Sequence, residues 1–206
     1  VRPSSFARRI TVNTPMQITG PARHNALVKT AADPEGETIL GTMQNCANGH
    51  TPWGTYLTCE ENWSDIFVKK GEMTPLEKRY GIADEDESYR WNEVDARFSV
   101  DKTPNEPNRF GWVVEIDPYN PTSTPRKHSA LGRFKHEGAA VTLAADNRAV
   151  VYMGDDQKFE YIYKFVSDKK YDAANRDANM ALLESGTLYV AKFNEDGSGE
   201  WLPLVY

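Results

Sequence analysis

The sequence predicts an all-β protein: a β-propeller or partial propeller of antiparallel four-stranded blades, interrupted by one loop and helix insertion. Three observations predict it. Short β-branched or aromatic runs bounded by Gly, Asn, Asp or Pro recur along the chain. Two of them, Gly54-Thr-Tyr-Leu-Thr-Cys-Glu-Glu61 and Ala149-Val-Val-Tyr-Met-Gly-Asp-Asp156, end in paired acids. Each is followed by a strand that opens on an aromatic residue, Phe110 in one case and Phe159 in the other, and then by a polar loop. Successive propeller blades read this way, with equivalent strand ends meeting at one mouth of a central channel.

Taken in order, strands are expected over 38–43, 54–59, 111–116, 139–143, 149–153, 161–165 and 188–193, and residues 145–148 join two of them in a tight hairpin. Residues 44–54 read as a polar loop. The stretch around 63–107 reads as an insertion, with a helix over 74–80 in which Thr74 caps and Pro75 takes the first helical position. Residues 83–88 and 103–108 are polar and turn-rich, and a second helix is expected over 173–184, with Gly186 beyond its end. The acidic run 194–200 lacks EF-hand spacing and sits between strands, so it reads as a hairpin turn. A blade takes roughly 40 to 50 residues, so the chain is expected to hold three or four blades of a single partial domain spanning 1–206. Both ends read as cut from something longer.

Lys and Arg number 24 against 30 Asp and Glu, a net charge of −6; an acidic surface argues against unaided nucleic-acid binding. No apolar run reaches the length of a membrane span. With two cysteines and four histidines, a disulfide framework and a four-thiolate zinc site are both excluded. Metal chemistry here is therefore expected to use mainly oxygen ligands, which favours calcium, or iron with carboxylates. No P-loop, G-x-S-x-G or H-E-x-x-H pattern is present.

Four segments are candidates for chemistry. Thr58-Cys59-Glu60-Glu61-Asn62 sets a thiol beside two carboxylates at a strand end. That is either a metal site or an ordinary acidic loop after a strand with a buried cysteine, since neighbouring acids suppress a thiolate unless a cation is present. The segment containing Arg133, His136 and Glu137 leads into an apolar strand. It offers a glutamate ligand and cationic groups for an anionic substrate, or else a solvated loop. Asp155 and Asp156 repeat the acidic strand end. Asn45 and Asn48 are candidates for a ligand or substrate hydrogen bond, or are turn formers. A Cys46–Cys59 pairing in an exported protein would exclude Cys59 as a ligand.

With these residues in view, the chain resembles the PhoX-type alkaline phosphatases. The resemblance runs through Arg8-Arg9-Ile-Thr, Gly20-Pro21-Ala22, the block from Leu40 to Asn62 that contains Thr-Pro-Trp-Gly-Thr and ends in Cys-Glu-Glu-Asn, Gly111-Trp-Val-Val-Glu-Ile-Asp-Pro118, Leu131-Gly-Arg-Phe-Lys-His-Glu-Gly-Ala139, Val151-Tyr-Met-Gly-Asp-Asp156 and Leu188-Tyr-Val-Ala-Lys-Phe193. It implies a β-propeller phosphatase that holds iron and calcium, hydrolyses phosphate monoesters by attack of a metal-activated oxygen, and reaches the periplasm or exterior through a twin-arginine signal. By resemblance, Cys59 is an iron ligand and Glu137 a metal ligand. Glu60, Glu61 and Asp155 join them as metal residues from their channel-mouth position, and Asn45, Asn48, Arg133 and His136 are assigned to substrate. No side chain is assigned as the nucleophile. The piece alone is expected to turn over little, and dimerisation or strand exchange through open blade edges is an expected hazard. The alternatives are a non-catalytic calcium-binding propeller module and a calcium-dependent propeller lactonase or esterase.

Overall fold

The computed structural model describes residues 4–85 and 89–205, so part of the polar run 83–88 lies outside it. Its strands are β1 (Pro15–Thr19), β2 (Thr38–Leu40), β3 (Asn45–His50), β4 (Tyr56–Glu60), β5 (Val113–Ile116), β6 (Arg126–His128), β7 (Ala140–Leu143), β8 (Arg148–Gly154), β9 (Ile162–Lys170), β10 (Gly186–Phe193) and β11 (Gly199–Pro203). Among the described residues there are also two short α-helices, α1 (Pro75–Arg79) and α2 (Arg176–Asn179), and several 3-10 turns, most of them between β4 and β5. The all-β class is as expected. The described strands form two sheets, ordered β2-β1-β6-β5-β4-β3 and β11-β10-β9-β8-β7, rather than three or four four-stranded blades.

The extra strands account for the difference. β1 pairs parallel to β6, with Gln17 opposite Arg126 and Thr19 opposite His128, and brings β2 with it. A four-stranded antiparallel unit, β3 to β6, is thereby widened to six strands, and its outer edge is covered. In the second sheet the run 194–200 is the expected hairpin: Asn194 and Ser198 close it and Gly197 takes φ +84°, which adds β11 to β10. The 145–148 hairpin also forms, with Asn147 in the left-handed region at φ +68°.

Three strands lie where none was expected: β1, β3 and β6. Strand β3 fell in the polar segment 44–54. It is an edge strand whose residues, apart from Gly49, are exposed, so no hydrophobic alternation marks it. The helix expected over 173–184 shrinks to α2. Asn175 caps it by accepting from the Ala178 amide, and Leu182 and Leu183 beyond it enter the core. Helix α1 begins as expected, with a reciprocal capping box between Thr74 and Glu77 and Pro75 in its first turn.

Alternation on the facing strands builds the main core. Leu57, Cys59 and Val113 of the first sheet meet Val151, Met153 and Phe165 of the second; each such side chain contributes on the order of 1.5–3 kcal/mol on burial. The inserted segment has its own core, in which Trp63, Phe67, Phe98 and Phe110 pack with Ile66 and Ile82. It is docked on the sheets by the Tyr80 hydroxyl, which donates to the Arg133 carbonyl (2.9 Å), and by an Arg79–Glu160 ion pair (2.8 Å).

Strands β3 and β7, the edge strands of the two sheets, come together. The Ala47 amide donates to the Glu137 carbonyl at 2.8 Å. Gly49 lies against the Ala139 carbonyl so closely that a Cβ there would overlap the oxygen. Glycine is required at this position by close approach, not by its dihedrals.

Candidate metal centre

At the end of β4, alternation separates Cys59 from Glu60, and the strand's end sets Glu61 apart from both. Cys59 points into the core between the sheets and is fully buried. Burial, with smaller contributions from Cys46 and Glu60, pushes its thiol up to about 12. In the fold it packs among the apolar side chains of the main core.

Glu60 points the other way and is also fully buried. Its carboxylate accepts from the Lys127 ammonium (2.7 Å) and from the amides of Gly111 (2.9 Å) and Trp112 (3.0 Å). Lys127 donates in addition to the Arg109 carbonyl at 3.0 Å and lies 4.0 Å from the Phe110 ring centroid. Both oxygens of Glu60 are thus engaged within the fold.

Glu61 leaves the strand toward β3, where its amide donates to the Gln44 carbonyl at 3.0 Å. Its side chain meets the thiol of Cys46 and the carboxylate of Asp156, with Glu137 close by. Burial first, and then Asp156 and Glu137, push the Glu61 carboxyl up, while the Cys46 hydrogen bond opposes them. The Cys46 thiol is pushed up in turn, chiefly by its bond to Glu61. The two acidic strand ends picked out by the internal repeat therefore do meet, through Glu61 and Asp156. The thiol beside them is Cys46, on the strand that sequence patterning did not reveal. Both cysteines are free.

The other residues assigned from sequence fall on either side of this cluster. Glu137, Asn45 and Asn48 are exposed along it; the Asn45 amide donates to the Thr42 hydroxyl at 2.8 Å. Asp155 accepts from the Lys135 amide at 3.2 Å, and burial is the main cause that raises its carboxyl to about 6.

His136 does not face the cluster's solvent side. It is fully buried and stacked on Phe134 with ring centroids 3.7 Å apart, and Nε2 donates to the Gly132 carbonyl at 3.0 Å. Burial pulls it down to about 4, so it is neutral at physiological pH. Arg133 lies 4.2 Å from both the Trp63 and Tyr80 ring centroids and donates to the carbonyls of Phe110 and Pro107. It is a brace for the inserted segment. Burial and these existing partners leave neither the neutral His136 nor the Arg133 guanidinium presented to a bound anion.

Chemically, the junction of β3 and β7 offers one soft donor and three hard ones, with no cation among them. Among the described residues, no three His, Cys, Asp or Glu side chains stand close enough to enclose a metal ion as they are. The four groups adjoin through Glu61 rather than forming a closed cage. Also among the described residues, no helix is long and apolar enough to cross a membrane.

The family model described as alkaline phosphatase PhoX matches residues 1–206. Among solved structures, the chain is similar to Pseudomonas fluorescens PhoX in complex with vanadate, a transition state analogue. The identity is 52% and the TM-score 0.96, over 100% of this chain and 37% of that one. This chain therefore spans well under half the length of that relative. No curated protein matches it.

Proposed function

This chain belongs to the PhoX alkaline phosphatase family, and from that premise we propose that it forms part of a metal-dependent phosphatase acting on phosphate monoesters. The observation that carries the proposal is the meeting of Cys46, Glu61, Asp156 and Glu137 at the junction of β3 and β7. A carboxyl such as that of Glu61, pushed up first by burial and then by the neighbouring acids Asp156 and Glu137, is what a cation site looks like before the cation's charge is added.

The donor set fits the metals expected of the family. Carboxylate oxygens suit calcium, and a thiolate beside carboxylates suits iron. Cys46, Glu61, Glu137 and Asp156 would hold them; Cys59 and Glu60, assigned to metal from sequence, are occupied by the core and by Lys127. Bound cations would supply the positive charge that lets a phosphate dianion approach an acidic protein and polarise its ester.

The chain's own residues have narrower tasks. Glu61, Asp156 and Glu137 would supply carboxylate oxygens and Cys46 a sulfur donor to a bound cation, and the exposed amides of Asn45 and Asn48 would donate to phosphate oxygens. The vanadate complex of the P. fluorescens relative supports phosphoryl transfer as the chemistry. Activity is assigned to the longer protein, with little turnover by these 206 residues alone. Calcium and iron as its metals, and twin-arginine export to the periplasm, belong to the same reading.

The test compares Cys46→Ala with Cys59→Ala in the full-length protein, with bound iron and calcium measured alongside p-nitrophenyl phosphate hydrolysis. Cys46→Ala is expected to lose bound iron and most activity. Cys59→Ala is expected to keep its metals and lose stability. Full metal content and activity in Cys46→Ala would overturn the assignment.

A further inference from the structure

We infer that the buried Glu60–Lys127 pair is the positioning device that sets the spacing of Glu61 and Glu137; the inference rests on the metal reading above. Glu60 joins the segments that deliver both residues. Its amide donates to the Trp112 carbonyl at 3.2 Å, and its carbonyl accepts from the His136 amide at 3.0 Å, one residue before Glu137. Its carboxylate is held from the opposite side by Gly111, Trp112 and Lys127.

Lys127 carries the restraint outward. It sits on β6, opposite Val114 of β5, and its ammonium also grips the Arg109 carbonyl. Residues 109–112, the end of β4 and the start of the His136-Glu137 segment are thus tied to one point. Glu61 follows that point directly, and the Ala47–Glu137 hydrogen bond closes the other side against the strand of Cys46.

An ion pair with both partners fully buried costs several kcal/mol in lost hydration, and apolar residues of similar size often pack as stably. What such residues lack is direction. A carboxylate with three fixed donors has one orientation, so the backbone that follows it has one exit path. Partners behind metal ligands typically change metal affinity about 10–100-fold when altered.

The test uses the full-length protein and Tb3+ luminescence as the metal probe, with thermal unfolding measured in parallel. In Glu60→Gln with Lys127→Met, the amide oxygen still accepts from Gly111 and Trp112, no buried charge is left unpaired, and the link to β6 is gone. The new amide's NH2 and the Arg109 carbonyl lose their partner, so we expect a lowered melting temperature in a protein that still folds, with Tb3+ binding weakened at least about tenfold. Glu60→Asp keeps the charge but withdraws the carboxylate by one methylene, and is expected to weaken Tb3+ binding to a similar extent. Wild-type Tb3+ affinity in either folded variant overturns the positioning role alone. A wild-type protein that binds no Tb3+ overturns the metal reading and this inference with it.

Discussion

Replacing Glu115 by leucine tests how much the first sheet depends on one buried acid outside the metal cluster. Glu115 is 2% exposed. Its carboxylate accepts from Trp53 Nε1 (2.8 Å), from the Thr55 hydroxyl (2.5 Å) and from His128 Nε2 (2.8 Å), with Arg126 at 3.5 Å. His128 is held in turn by the Thr19 hydroxyl at 2.9 Å, so the network spans β5, β6 and β1. Leucine leaves three buried donors without an acceptor, each costing about 1–2 kcal/mol, against about 1–2 kcal/mol recovered from apolar burial. The expected net loss is about 3 kcal/mol, read as a shifted urea midpoint at pH 7. Glu115→Gln keeps an acceptor for Trp53 and Thr55 but presents an NH2 where His128 Nε2 meets the carboxylate; about 1 kcal/mol is expected. The pH dependence has a fixed sign. Burial raises the Glu115 carboxyl, but the His128 hydrogen bond and the His128 and Arg126 charges outweigh it and hold the group below its ordinary value. A depressed acid contributes stability above its unfolded pKa and loses it as pH falls through the folded one, so the wild type should lose part of its advantage over Glu115→Leu below about pH 4.5. A loss under about 0.5 kcal/mol at pH 7, or parallel pH profiles, would refute the reasoning.

Thiol labelling separates the two cysteines. At pH 8 a thiol at about 12, as for Cys59, is about one part in ten thousand thiolate, against about one in four for an ordinary cysteine. An Ellman titration of the native chain should therefore count Cys46 promptly and Cys59 only after denaturation; two fast thiols would place Cys59 elsewhere. Gly49→Ala should cost about 1–3 kcal/mol through overpacking against the Ala139 carbonyl. Because the cluster straddles the β3–β7 junction, it should also weaken Tb3+ binding. A neutral substitution would mean that the two edge strands are not held together there.

Much of the architecture could be read from local pattern because it depends on local pattern. β-branched runs, the Thr74-Pro75 helix start and the Asn147 and Gly197 turns act within a few residues, and each appears where expected. The helix over 173–184 did not: propensity marked the whole segment, but Leu182 and Leu183 are drawn into the core and the helix stops at Asn179. Strand β3 left no trace in hydropathy because it is solvated, and its strand state is imposed by β4 and β7.

The site divides in the same way. The internal repeat was enough to nominate paired acids at two strand ends, and the Cys-Glu-Glu-Asn and His-Glu-Gly-Ala motifs were enough to suggest the family. By itself, the sequence determined the fold class, the acidic character and the short list of side chains. Which of them face one another was decided by tertiary structure. Side chains on a strand alternate, so Glu60 turns away from its neighbours to meet Lys127; Cys59 stays within the core, and Glu61, just beyond the strand end, is the acid of the motif that bonds Cys46 and Asp156. Adjacency in sequence put a thiol next to its carboxylates; only the pairing of distant strands could show that the thiol among the acids is the other one.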